Sequence, residues 1–171
     1  RGTADPRTIR LMSVVTLRLL DPGDLGWVVM AQTRLYVREY GWNGDYEALV
    51  LEILGAYAHR QPNPRETGWI AEVNGQMAGA VFVMEKSPDV AQLRLLHVEE
   101  AARGYGLGGR LVDACIGFAR DAGYSRLELW TNDVLAGARR LYVSRGFTLL
   151  SEARHHSFGQ DLNGQDWGLD L

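Results

Sequence analysis

Gly104-Tyr105-Gly106-Leu107-Gly108-Gly109 places four glycines within six residues, between an apolar run and a helical stripe. Leu93, Leu95 and Leu96 suit a buried strand, whereas Leu107, Leu111, Ala114, Cys115, Phe118, Ala119 and Ala122 recur at the three- and four-residue spacing of one helix face. The first backbone N–H groups of such a helix have no intrahelical partner and lie at the positive end of the helix dipole. Glycines let the main chain close on a ligand, so a phosphate can take those donors. The stretch is a candidate pyrophosphate cradle.

Two chemistries compete for it. Gly104-x-Gly106-x-x-Gly109 satisfies the dinucleotide pattern G-x-G-x-x-G, with Glu128 downstream as a ribose-binding acid. Arg103-x-x-Gly106-x-Gly108, by contrast, resembles the acetyl-CoA pyrophosphate loop of the GNAT family of N-acetyltransferases. The order of the chain favours the second. About a hundred residues precede the glycines, Glu99 to Arg103 separate them from the strand, and too little chain follows Glu128 for a second βαβ half.

At 171 residues, 46% apolar and 23% charged, the chain fits one globular domain able to bury a core. A net charge of −3 gives no general attraction to nucleic acid or anionic membrane and favours, weakly, cationic acceptors. No apolar run approaches a membrane span, no signal peptide is visible, and a single cysteine fits a reducing cytoplasm. Residues 1–13 read as a tail or linker remnant and 14–171 as the domain.

The elements that must position the glycine turn follow from periodicity. Val14–Leu20 reads as a strand, Asp21-Pro22-Gly23-Asp24 as a turn supplying an N-cap, and Leu25–Tyr40 and Tyr46–Tyr57 as helices. Trp69–Val73 and Gln76–Met84 form a hairpin about Asn74-Gly75, and Ala91–Val98 is the next antiparallel strand. Arg126–Trp130 is a strand, Val134–Val143 a helix stopped by Gly146, and Phe147–Leu150 and Trp167–Leu171 the last strands. The expected fold is α/β, a mixed, mostly antiparallel central sheet with helices on both faces.

That order is similar to the GNAT fold from Val15 to Leu171. The family's second signature, a helix ending in Leu-Tyr before a Gly-Phe turn, matches Ala138 to Phe147. Gly26–Val29, Glu39–Trp42, Ala91–Leu96, Leu129–Asp133 and His156–Gly159 further resemble the acetyltransferase half of bacterial fusions with a MarR-type winged helix. No winged helix is present in this sequence, so DNA binding does not carry over.

The resemblance implies acetyl-CoA as co-substrate and an amine, on a small molecule or peptide, as acceptor. Leu96, His97 and Val98 would pair with the pantetheine arm, with a backbone amide there polarising the thioester. Arg103, Gly104, Gly106, Leu107, Gly108 and Gly109 would hold the pyrophosphate. Tyr142 would protonate the departing thiolate. The Asn that many members carry seven residues before that Tyr is Leu135 in this chain, with Asn132 as its substitute. A homodimer is compatible with such folds, whose terminal strands can be exchanged.

The general base has no motif. Glu39, expected near the acceptor side, could bind an ammonium or take its proton; His97 is a second candidate because imidazole titrates near neutrality. Tyr40 and Trp42 would form an aromatic wall. Of His155 and His156, adjacent on one strand, at most one faces the site. Arg139 or Arg140 could meet a 3′-phosphate. No metal-ligand spacing is present. A second class of reading is a domain that binds acetyl-CoA as a sensor with little turnover.

Overall fold

Asn74 and Gly75 have φ of 51° and 78° in the computed structural model, which describes residues 13–171. That is the geometry a two-residue type I′ turn demands. The turn joins β2 (Thr67–Val73) to β3 (Gln76–Ser87). β1 (Val15–Leu19) adds outside β2, and β4 (Val90–Val98) pairs with the far edge of β3, all antiparallel. β5 (Arg126–Asn132) runs parallel to β4 and antiparallel to β7 (Gln160–Asp170), and β6 (Thr148–Ser157) forms the outer edge. The seven-stranded order is therefore β1-β2-β3-β4-β5-β7-β6. The fold is mixed α/β with one parallel neighbour pair.

Two apolar clusters divide along the pleat. α1 (Asp24–Tyr40) and α2 (Gly44–His59) cover one face, where Val28, Val50 and Leu54 pack on Ile70, Ala80 and Phe82. On the other, α3 (Leu107–Asp121) and α4 (Ala136–Ser144) bring Leu111, Cys115 and Tyr142 against Val81, Val83 and Leu93. Cys115 is fully buried, and burial pushes its thiol well above the ordinary value.

Element order and type match the expectation; three details differ. Gly23, with φ 99°, precedes α1 and no side chain caps it. Asp24 instead accepts the Asp21 N–H at 2.7 Å and two Arg18 bonds at 2.7 and 3.1 Å, which hold its carboxyl below the usual range. The last hairpin is longer than its apolar core, because β6 is an exposed edge strand with no alternation to read. Its turn, Phe158-Gly159, also has positive φ at both residues. The expected tail falls on residues outside those described, apart from Ser13.

Two irregularities in β4 make the site. Ala80 pairs with His97 and Phe82 with Arg94, so Leu95 and Leu96 together oppose Val81 in a bulge, with Leu95 at φ 55°. The extra residue turns Leu95 toward the α1–α2 face and returns Leu96 and Val98 to the α3 face. Parallel pairing with β5 then ends at Leu93–Leu129, leaving the last five residues of β4 without that neighbour.

Candidate active site

The gap between β4 and β5 opens two cavities that share Tyr36, Leu96, Leu135 and Ala138. The first, of about 150 Å³, is walled by Trp42, Tyr46, Phe158 and Trp130 and reaches Asn132 and Tyr142. The second, of about 470 Å³, runs along Leu96, His97 and Val98 to Arg103, Gly108 and Glu39.

The backbone on the second cavity's floor has free groups for a physical reason. Glu99 N–H donates to Ala78 carbonyl at 2.8 Å. Antiparallel bonding alternates, so the next pair, Gly79–Val98, is a non-bonded one. The N–H and C=O of Val98, and by the same alternation those of Leu96, point into the gap left by β5. At the end of this edge, Glu100–Ala102 forms a short 3-10 turn, and Gly104 and Gly106 take φ of 91° and 72° to enter α3. No side chain caps α3 and no acid lies in its first turn, so the leading N–H groups of Leu107, Gly108 and Gly109 are available to an anion. The side chains around these groups pack instead. Leu107 is core, and a Cβ on Gly109 would approach Arg145 Nη2 at 2.5 Å, where that guanidinium holds Asp113. Gly104 and Gly106 have open space around the missing Cβ; their requirement is the backbone angle.

Glu128 lies away from this cradle. It opposes Gln92 in the sheet and is held by Lys86 and Arg126, six residues of strand before Val98 and so roughly 20 Å from the glycines. A ribose-binding role alongside the glycine turn is thereby excluded.

Glu39, expected on the acceptor side, lines the second cavity instead, where Arg103 Nη2 donates to its carboxylate. The reason is helical phase, since Tyr36 and Tyr40 occupy the positions of α1 that turn toward the aromatic cluster. Glu39 is therefore the ion-pair partner of Arg103 on the lining of the second cavity. Glu39→Gln removes a negative charge there and frees Arg103. Given the small worth of exposed pairs, KM for acetyl-CoA should fall about 2–5-fold with kcat within twofold. Steady-state kinetics check this, and a kcat loss of two orders would restore the base role.

His97 is also displaced from chemistry. Its imidazole points to the α1 side, 3% exposed, 5.4 Å from the Trp27 ring. Gln32 Nε2 donates to Leu95 carbonyl at 2.6 Å and lies 3.2 Å from His97 Nδ1, while Tyr46 hydroxyl donates to Gln32 Oε1 at 2.9 Å. Since the carbonyl fixes which end of the amide faces it, Nδ1 accepts and Nε2 carries the proton, 3.6 Å from Glu99 Oε1. That imidazole is the main cause holding the Glu99 carboxyl below its ordinary value. Gln32, fully buried, thus satisfies the carbonyl that the bulge orphans. It escaped the sequence reading because a Gln on an apolar face carries no motif.

Tyr142, on α4, is 4% exposed and lines the first cavity, and its hydroxyl has no hydrogen-bond partner among the described residues. Burial, reinforced by Tyr36, raises its phenol far above the ordinary value, so it stays protonated. Tyr36 stacks on Trp42 at 4.9 Å, and burial raises its phenol likewise. Asn132 belongs to the same cavity. Its Oδ1 lies 2.8 Å from His155 Nε2, while His155 Nδ1 lies 2.9 Å from Ser157 Oγ. His156 faces outward and pairs with Asp161. The α1–α2 junction and the β6–β7 turn close over the aromatic end, with Asn43 N–H donating to Phe158 carbonyl at 3.1 Å. Tyr40 and Trp42 are in ring contact, with centres 5.8 Å apart, but Tyr40 lines the second cavity and Trp42 the first, where Phe158 and Tyr46 adjoin it. Among the described residues no helix is long and apolar enough to cross a membrane.

Comparison with known proteins identifies the family and the fold. Residues 30–147 match the profile of the acetyltransferase (GNAT) family. N-acetyltransferase 8 of Rattus norvegicus is 37% identical over 90 residues, 50% of this chain and 40% of the relative. N-acetylaspartate synthetase of Xenopus tropicalis is 28% identical over 144 residues, 84% of this chain and 53% of the relative. The chain spans about two-fifths to half the length of these curated relatives. A Salmonella typhimurium protein assigned as an acetyltransferase, solved with its cofactor acetyl-CoA, superposes with a TM-score of 0.74 at 22% identity, over 92% of this chain and 94% of that one. A GNAT-family acetyltransferase from Staphylococcus aureus gives 0.77 at 16% identity, over 92% and 99%.

Proposed function

The chain belongs to the acetyltransferase (GNAT) family and is an acyltransferase, and from that premise we propose that it acetylates an amine from acetyl-CoA by direct attack where the two cavities meet. The observation that carries this reading is the unpaired edge of β4, which leads from Leu96 to the free N–H groups of α3. A phosphorylated arm laid along that edge takes both sets of donors. Acetyl-CoA supplies a thioester carbonyl that accepts the amine nitrogen and a sulfur that leaves with the C–S electron pair. The Leu96–Val98 amides hold the carbonyl oxygen by preorganised hydrogen bonding. Tyr142, protonated throughout the working range, gives its proton to the leaving sulfur.

Among the described residues, no carboxylate or imidazole lines the acceptor cavity. The attacking amine therefore arrives neutral, or first gives its ammonium proton to water at the cavity mouth. After attack the nitrogen loses one further proton to water, from which the Tyr142 phenolate is reprotonated. We assign Arg103 to the pyrophosphate, with Glu39 competing for its guanidinium, and Asn132 to the reacting end of the arm, held by His155. The single cysteine, buried in α3, supports a reducing compartment. The finer likeness to winged-helix fusion proteins rests on the five stretches quoted above, and the matched relatives carry other names.

A thermal-shift titration with acetyl-CoA, CoA and NAD tests the binding half. Ligand at about 100 times its Kd should stabilise the fold by ~2.7 kcal/mol. CoA forms should raise the midpoint and NAD should not; no shift with either CoA form would remove the basis of the proposal.

A further inference from the structure

Among the described residues, Arg94 is the one charged residue that lines the aromatic cavity. It lies on the α1–α2 face of β4, opposite Phe82, just before the bulge. It is half-buried, and among the described residues it has no hydrogen-bond or ion-pair partner. Among other partly covered arginines, Arg18 holds Asp24 and Glu72, Arg65 holds Glu85, and Arg145 holds Asp113, whereas Arg139 on α4 also has no partner among the described residues but lies outside this cavity. No carboxylate among the described residues lines the cavity with Arg94. Desolvation weakens its hold on its proton, and Arg60 adds to that as a second cation. A guanidinium partly stripped of water, with no counter-charge beside it, favours an anion that reaches it through the cavity.

The rest of the lining states the shape of what brings that anion. Trp42, Tyr46 and Phe158 make an apolar wall, which Leu49 and Ile53 continue along the same face of α2 as Tyr46. A void of about 150 Å³ holds a body of roughly benzene size. Leu96, at the junction with the second cavity, follows Arg94 by two residues of strand, about 7 Å. A ligand can therefore set a charged group on Arg94, fill the aromatic wall and present a nitrogen near Leu96.

Resting on the acetyl-transfer reading, we infer that the acceptor is an amine carrying a carboxylate on a small apolar body, and that Arg94 receives the carboxylate. The planar fork of Arg94 matches a carboxylate through two parallel N–H bonds, a match that an ammonium cannot make. This reverses the acceptor expected from the chain's net charge. Bulk charge acts across the whole surface, whereas the described residues of the cavity present one cation and no acid.

The experiment compares acceptors with and without the carboxylate: L-phenylalanine against 2-phenylethylamine, and L-leucine against isopentylamine. Acetylation rates are read for the parent, Arg94→Gln and Arg94→Lys. The parent should favour each acid by about 10–100-fold in kcat/KM, the range of one charge-assisted pair. Arg94→Gln should collapse that ratio through the acceptor KM, with the acetyl-CoA KM unmoved, and Arg94→Lys should keep part of it. Equal or better use of the decarboxylated amines by the parent, or an unchanged ratio in Arg94→Gln, would overturn the inference while leaving acetyl transfer intact.

If neither amine of a pair is acetylated, the transfer reading fails separately. The acceptor site is then judged by thermal shift of the CoA-loaded protein with N-acetyl-L-phenylalanine and N-acetyl-2-phenylethylamine. Stabilisation by the acid alone, lost in Arg94→Gln, supports the assignment. Equal shifts, or none, overturn it.

Discussion

Replacing Tyr142 by Phe should lower kcat about 10²–10⁴-fold, the usual contribution of a positioned general acid. KM and binding of acetyl-CoA should change little, because the hydroxyl makes no hydrogen bond among the described residues and the ring keeps its contact with Phe147, 5.7 Å between centres. Stability should hold, because the hydroxyl opens on the cavity and has no protein partner to lose among the described residues. The pH profile carries a second signature. The Tyr142 phenol lies well above its ordinary value in the folded protein, so it cannot cause an alkaline loss of rate between neutrality and pH 10. The parent rate should rise with pH along the titration of the amine itself, because among the described residues no carboxylate or imidazole lines the acceptor cavity to take its proton. Stopped-flow rates across pH 6–10 with two amines of different basicity check this. Retention of more than a tenth of kcat in Tyr142→Phe would remove the phenol from the reaction.

The second large effect belongs to Gln32. Gln32→Leu leaves the Leu95 carbonyl and the Tyr46 hydroxyl without partners in a dry interior. At roughly 1–3 kcal/mol for each orphaned group, discounted for relaxation, the fold should lose about 2–4 kcal/mol. Urea unfolding measures this directly. Activity should fall further than stability explains, since the bulge aims the Leu96–Val98 edge, and a displacement of about 1 Å at a reacting centre is worth up to ~10²-fold. The readout is kcat of folded protein, assayed well below the lowered midpoint. Gln32→Glu keeps the shape but replaces the donor with an acceptor against the carbonyl, so it should fail similarly. If Gln32→Glu matches the parent in both stability and kcat, the amide does not hold the bulge.

What could be read from the residues alone was what short-range chemistry writes down. Asn74-Gly75 encodes its turn in two residues, and Gly104 and Gly106 encode theirs in backbone angles that other residues resist. The stripe from Leu107 placed α3 and its free N–H groups without help from the rest of the chain. The site's other half depends on contacts made over long separations. The bulge at Leu95 breaks the two-residue period, so no alternation rule puts Leu95 and Arg94 on one face and Leu96 on the other. Gln32 reaches its carbonyl across 63 residues, and His155 reaches Asn132 across 23. Glu39 was placed on the correct helix but at the wrong cavity, because spacing along α1 gives no absolute phase until the aromatic cluster sets it. Arg94 resembled an ordinary strand charge, since the absence of a partner shows only once the surroundings are known. The exposed edge of β6 carried no periodic pattern, and its length emerged from pairing with β7.

The central claim is that acetyl leaves sulfur for nitrogen at the gap between β4 and β5. It is tested most directly by following free thiol from acetyl-CoA, with and without an amine, and weighing the product by mass spectrometry. The account predicts thiol release that depends on amine, equals the N-acetyl product mole for mole, and is lost in Tyr142→Phe. Tight acetyl-CoA binding with no amine-dependent thiol release, across acids and simple amines alike, would contradict it and leave a CoA-sensing domain in its place.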